Sequence, residues 1–193
     1  MSIEIPYTEG GALKTDLLAS SRVRWVVPKD LPSPQAKKLF GRALASPVNA
    51  SKLEDESFDS PALVISDNFR LPSPYIPDLL EILEEKSSDV KIVVACGTHP
   101  PPPKNYLKRV LGEKFRDYER RVVFSSTKNP KSHYSFIGKT SRGTPLELND
   151  ELMDRDFVLS TLCVRPHYFA GWEGGAKALL PGCSSLHTIA KNH

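Results

Sequence analysis

Short β-branched runs alternate with helical patterns along the chain. "RVRWVV" (22–27), "ALVIS" (62–66), "KIVVAC" (91–96), "RRVVFS" (120–125) and "DFVLSTLCV" (156–164) read as strands, the last being the longest and most apolar. Between them lie helical stretches. One runs from about Ser33 into "AKKLFGRALA". In "IPDLLEILEEK", Ile76, Leu79, Leu80 and Leu83 recur at helical spacing, and in "KNYLKRVLGEKF" Tyr106, Leu107, Val110 and Leu111 share one side. Such alternation implies crossover connections. It predicts an α/β fold of three layers, Rossmann-like, with a mostly parallel sheet and helices on both faces. Seventeen prolines mark the turns and loop rims, as in "RLPSPYIP" and "HPPPPK".

In a parallel sheet the common ligand site is the crevice beyond the C-terminal strand ends. Three of the predicted strands deliver reactive residues there. "ALVIS" is followed by Asp67 and Arg70, "KIVVAC" by His99, and "DFVLSTLCV" by His167 and Lys177.

Each of these residues has a plainer alternative. His99 precedes four prolines, which stiffen its loop into a good mount for an acid or base titrating near neutrality; a surface histidine capping a turn is the other reading. Burial of His167 would favour a neutral, proton-accepting ring, whereas a strand-end histidine can simply be satisfied by backbone. Arg70 presents a planar fork suited to carboxylate or phosphate, or else pairs with Asp67 or a nearby glutamate. "GWEGGAKALLPG" lacks the Gly-Lys-Ser/Thr of the nucleotide-triphosphate loop, yet its glycines allow close backbone approach to an anion or cofactor. Its Lys177 can neutralise phosphate or, once desolvated, attack as an amine. A helix capped by Ser184 or Ser185 would place Leu186, Ile189, Ala190 and His193 on one face and His187 on a wetter one, making His193 the better ligand candidate. His133 has no supporting pattern.

Composition adds limits. A chain of 193 residues fits one sizeable domain, and a net charge of +3, with both signs interspersed, does not call for a nucleic-acid or membrane partner. No apolar run is long enough to span a bilayer and no secretory signal opens the chain. Cys96, Cys163 and Cys183 form no paired motif, so free thiols in a reducing cytoplasm are expected. No HExxH or paired-cysteine zinc pattern occurs.

Taken together, "IEIPY", "SDNFRLPSP", "CGTHPPP", "GKTSRGTPLELN", "PHYFAGWEGGAKALLPG" and the final "NH" resemble the nickel-dependent lactate racemase family, in its N-terminal domain, over nearly the whole chain. The resemblance implies a single cofactor-binding domain over 1–193. Its cofactor would be a nickel-pincer nucleotide, pyridinium-3-thioamide-5-thiocarboxylic acid mononucleotide, tethered through Lys177, with His193 completing the nickel coordination. Imidazole suits nickel. It further implies His99 and His167 as the acid/base pair, and the turn Asp67, Asn68, Phe69 and Arg70 along the cofactor. The reaction implied is racemisation or epimerisation of a small 2-hydroxy acid. One histidine takes the hydroxyl proton while hydride passes to the cofactor, and return to the other face inverts the centre.

The sequence departs from the family pattern in three ways. Trp172-Glu173 stands where the family has Phe or Tyr followed by Ser, which puts an extra carboxylate near the tether. "FSSTKNP" replaces a segment that tends to carry a His-Asp pair. The family's chains are about twice this long; their C-terminal domain, which supplies substrate-side groups, is absent here, so the chain alone is expected to be inactive. The cofactor-making enzymes are expected partners. A non-catalytic nucleotide- or metal-binding α/β module is the alternative, and a metal-assisted hydrolase a further one.

Overall fold

The computed structural model describes residues 2–8, 11–16, 36–168 and 170–192. The chain divides into two compact units, Met1–Leu39 and Phe40–His193. In the first, β1 (Ser2–Thr8) and β2 (Gly11–Asp16) pair as an antiparallel hairpin, with Ser2 opposite Asp16. The predicted strand 22–27 lies outside the described residues. Helix α1 (Ala36–Ala45) spans the unit boundary in sequence.

The second unit is built on β3 (Pro61–Ser66), β4 (Lys91–Gly97), β5 (Val122–Ser126) and β8 (Phe157–Thr161), all parallel, in the order β5-β4-β3-β8. The predicted α/β fold with a parallel sheet is therefore what forms. β3 is sandwiched between β4 and β8, and its Ala62, Leu63, Val64 and Ile65 have no accessible surface. Side chains alternate across a strand. Leu63 and Ile65, with Ile92 and Val94 of β4, point to a large core filled by α2 (Ile76–Glu84), α3 (Lys104–Leu111) and α4 (Phe115–Tyr118). The inward faces of α2 and α3 are the ones predicted: Ile76, Leu79, Leu80 and Leu83, and Tyr106, Leu107, Val110 and Leu111. On the opposite face the smaller Ala62 and Val64, with Val93, meet Leu152 of α5 (Asp150–Met153), Ala178 and Cys183. A hairpin, β6 (Tyr134–Lys139) with β7 (Pro145–Asn149), fills the crossover from β5 to β8.

Two sequence expectations are corrected. The run 156–164 is not the longest strand. β8 has five residues against seven in β4; among the described residues it ladders only to β3, and after Thr161 the chain leaves the ladder, Leu162 bridging to Pro72. The final helix, α6 (Leu186–Asn192), is capped by Ser185, whose Oγ accepts from the Thr188 amide (3.1 Å), but its buried positions are Thr188 and Ile189, while Leu186 and Ala190 are exposed. The reason is tertiary. Glu147 on β7 accepts from Ser185 Oγ (2.5 Å), and its amide donates to Thr188 Oγ1 (2.9 Å), so a polar anchor turns the helix.

Candidate active site

The sheet order reverses at β3, since β4 and β5 extend one way and β8 returns to the other side. A crevice at that reversal is where parallel α/β sheets bind ligands. A cleft of about 210 Å³ lies there, lined among others by Asp67, Arg70, His99, His167, Glu173 and Lys177. Residues 110 positions apart in sequence, Asp67 and Lys177, thus share one site (177 less 67).

Asp67 follows β3 directly and is 1 % exposed. A buried carboxylate needs hydrogen-bond partners. Asp67 Oδ1 accepts from the Phe69 amide (3.0 Å), closing the turn that carries Asn68, Phe69 and Arg70, and Oδ2 meets His99 Nδ1 at 2.6 Å. Because a carboxylate only accepts, the neutral ring of His99 carries its proton on Nδ1 and its lone pair on Nε2. Three further contacts hold His99, two through its backbone and one through the ring. His99 O accepts from Ser126 Oγ (2.5 Å), its amide donates to Cys96 O (2.9 Å), and Phe69 lies against the imidazole with centroids 4.5 Å apart. Asn68 is exposed on the turn and does not line the cleft.

His167 sits not at the mouth of the apolar strand but on a separate antiparallel hairpin, β9 (Arg165–His167) with β10 (Gly171–Glu173). Its Nδ1 accepts from the Ala170 amide (3.3 Å), so in the neutral ring the proton is on Nε2. The two imidazoles are therefore held as opposite tautomers.

The glycine loop is shaped by close approach. Gly174 has φ +89°, and a Cβ there would stand 2.7 Å from Cys163 O; at Gly182 a Cβ would stand 2.4 Å from Ala178 O. The first seats the loop on the chain after β8 and the second tightens its own turn, while a Cβ at Gly182 would also stand 3.0 Å from Ala95 Cβ of β4, where the Gly97 amide donates to Gly182 O (2.9 Å). Lys177 lies on the 3-10 turn Gly175–Ala178 between them. Burial first, and then the nearby Arg70 guanidinium, hold its amine below the usual lysine range, while Glu173 opposes them.

Arg70 takes the plainer of its two readings, an ion pair with a glutamate, but the partner is Glu173 on a distant segment and not Asp67. Its Nε donates to Glu173 (2.8 Å), and the other oxygen of Glu173 is held by Arg165 (2.6 Å). Sequence reasoning missed Arg165. The signal was present, since "RPH" and "GWE" flank a three-residue loop and a hairpin reading would have set Arg165 opposite Glu173. His187 is exposed and pairs with Glu147 (2.9 Å). His193, the expected metal ligand, lies outside the described residues, and among the described residues no three His, Cys, Asp or Glu side chains converge on a metal site. All three cysteines are unpaired, and no helix among the described residues is long and apolar enough to cross a membrane.

Residues 9–193 match the profile of the lactate racemase N-terminal domain. Two curated relatives are lactate racemases. That of Thermoanaerobacterium thermosaccharolyticum is 31% identical over all of this chain and 46% of its own length. That of Lactiplantibacillus plantarum is 34% identical over 79% of this chain and 37% of its own. The chain thus spans less than half the length of either. Among solved structures, the lactate racemase apoprotein of T. thermosaccharolyticum superposes with a TM-score of 0.79 at 29% identity, covering 98% of this chain and 45% of that one. A Thermotoga maritima protein, at 24% identity and a TM-score of 0.58 over 72% of this chain, shares the fold. With a profile match over nearly its whole length and the cleft residues converging at the strand ends, the chain belongs to the lactate racemase N-terminal domain family.

Proposed function

We propose that this chain is the cofactor-bearing domain of a 2-hydroxy-acid racemase or epimerase, with 1–193 acting as one functional domain. The observation that carries the reading is that His99, held at Nδ1 by the buried Asp67, lines one cleft with His167 and Lys177. His99 Nε2 offers a lone pair and would take the hydroxyl proton; His167, to act as the donor from the other side, has to enter as imidazolium and give up the Ala170 N–H contact, since a neutral ring is too weak an acid. Asp67 keeps the first in register and stabilises the imidazolium once the proton has arrived. Inverting a centre needs a proton acceptor on one side and a donor on the other, and their roles exchange on each turnover.

The residues present fit a lysine-tethered cofactor. Lys177 combines partial burial with a depressed amine pKa, which suits covalent attachment, and the glycine loop admits a close neighbour. Lys177 would hold the nickel-pincer nucleotide, His193 would complete the nickel, and the Asp67–Arg70 turn would lie along it. When bound, such a group supplies hydride acceptance and return at the substrate carbon. The second half of the longer relatives is the part expected to close the cleft, with the cofactor-making enzymes as the other partners.

The test is intact mass after co-expression with cofactor-making enzymes, with Lys177→Ala alongside. A nickel-containing, nucleotide-sized gain that disappears in the variant is expected. A folded chain that gains no mass, or gains it equally in Lys177→Ala, overturns the tether.

A further inference from the structure

Glu173 is a carboxylate in an unusual setting. It lies on the cleft wall with its side chain 9% exposed, held between two guanidiniums. Arg165 faces it directly across the β9–β10 hairpin, as the register Glu173↔Arg165 requires, and stands outside the cleft lining. Trp172 and Pro166, the neighbouring pair, take the other, exposed face of the hairpin. Arg70 approaches from the turn after β3. These two guanidiniums and one carboxylate sum to one positive charge, beside the further positive charge of Lys177 in the same cleft. Without the carboxylate the sum would be two.

We propose that Glu173 sets the charge of the ligand this cleft accepts, matching it to a monocarboxylic 2-hydroxy acid and disfavouring a dicarboxylic one. The inference rests on the reading of the cleft as a 2-hydroxy-acid site and adds the substrate class. Glu173 acts in two ways. It engages Arg70 Nε, leaving that guanidinium's remaining N–H groups for one carboxylate; Nη1 is itself 3.3 Å from Phe69 O. It also puts a fixed negative charge on the cleft wall, which repels a second ligand carboxylate brought near it. Inside a half-enclosed cleft, one unit charge a few ångströms away discriminates between ligands differing by one charge by about tenfold or more. Rejection of this kind comes from a repulsive group built into the site, not from lack of room.

Lactate and malate are the matched probes, since they share the 2-hydroxy-carboxylate core and differ by one carboxylate. Their affinities for this chain are measured by calorimetry or NMR titration, alongside Glu173→Gln, Glu173→Asp and Arg165→Gln. Glutamine keeps the shape and one acceptor oxygen, and both arginines are more than a third exposed, so the freed charges stay solvated. The expected result is a malate-to-lactate preference about tenfold higher in Glu173→Gln, unchanged in the charge-preserving Glu173→Asp, and shifted the opposite way in Arg165→Gln. A merely structural Glu173 would weaken both acids together and leave the ratio where it was. An unchanged ratio in Glu173→Gln, or binding of neither acid to any of the chains, overturns the proposal. The Lys177 mass test does not involve this carboxylate: a chain that takes the adduct but keeps its ratio retains the racemase reading and loses this one, and the converse holds.

Discussion

Replacing Asp67 by Asn should reverse the tautomer of His99, and the geometry says by how much. The carboxylate accepts from two donors, the Phe69 amide at 3.0 Å and His99 Nδ1 at 2.6 Å. An amide side chain has one oxygen and one NH2. The backbone N–H of Phe69 cannot turn round, so the oxygen stays with it and the NH2 faces His99. Keeping the proton on Nδ1 would then set two donors face to face in a site 1 % exposed. Each unsatisfied buried donor costs about 1–3 kcal/mol, so the flipped ring is favoured by roughly tenfold or more. Exchanging a charge-assisted bond for a neutral one costs a further ~1 kcal/mol of stability, partly offset because a buried charge is removed. Long-range proton–nitrogen correlation spectra of the chain read the tautomer directly. The expected spectrum has Nδ1 unprotonated in Asp67→Asn and protonated in the parent. Retention of the Nδ1 proton in the variant would refute the reasoning. If His99 is the base, its cleft-facing nitrogen then loses its lone pair, and turnover in a protein carrying the site falls on the order of 10²–10⁴.

Other expectations follow from the same geometry. Gly182→Ala places a Cβ 2.4 Å from Ala178 O and 3.0 Å from Ala95 Cβ, an overpacking worth about 1–3 kcal/mol; the thermal midpoint should drop several degrees, while Gly41→Ala, with open space around it, should not lower it. Arg70→Gln removes a positive charge beside Lys177, so the amine pKa rises; less free amine exists at a given pH, and labelling of Lys177 by an amine-reactive ester near neutrality should slow, with its pH profile displaced to higher pH. Burial pushes the Cys183 thiol up to about 12 and raises that of Cys96, so alkylation of the native chain at pH 8 should stop at Cys163, and mass spectrometry finding three adducts before denaturation would contradict that burial. Ser185→Ala removes the cap of α6 and one partner of Glu147, and urea unfolding should show a loss of about 1 kcal/mol.

What the sequence determined by itself was local. The apolar run at 62–66 and the leucines of α2 carry their pattern in neighbouring residues, so strand, helix and buried face could be read without the fold. The alternation of such elements implied a parallel sheet, and that alone sent Asp67, His99, His167 and Lys177 to one edge. Tertiary structure decided which of them touch. Asp67 pairs with His99 because β3 lies beside β4, and Glu173 reaches Arg70 because β8, five strands later in the chain, returns to the other side of β3. Strand order is fixed by which faces bury together, a sum over the whole core that no window of residues contains. The same holds for α6. Ile189 is buried and His187 exposed, as its spacing suggested, but Thr188 is inward and Leu186 and Ala190 outward, because the polar anchor of Glu147, Ser185 and Thr188 sets the rotation of the helix.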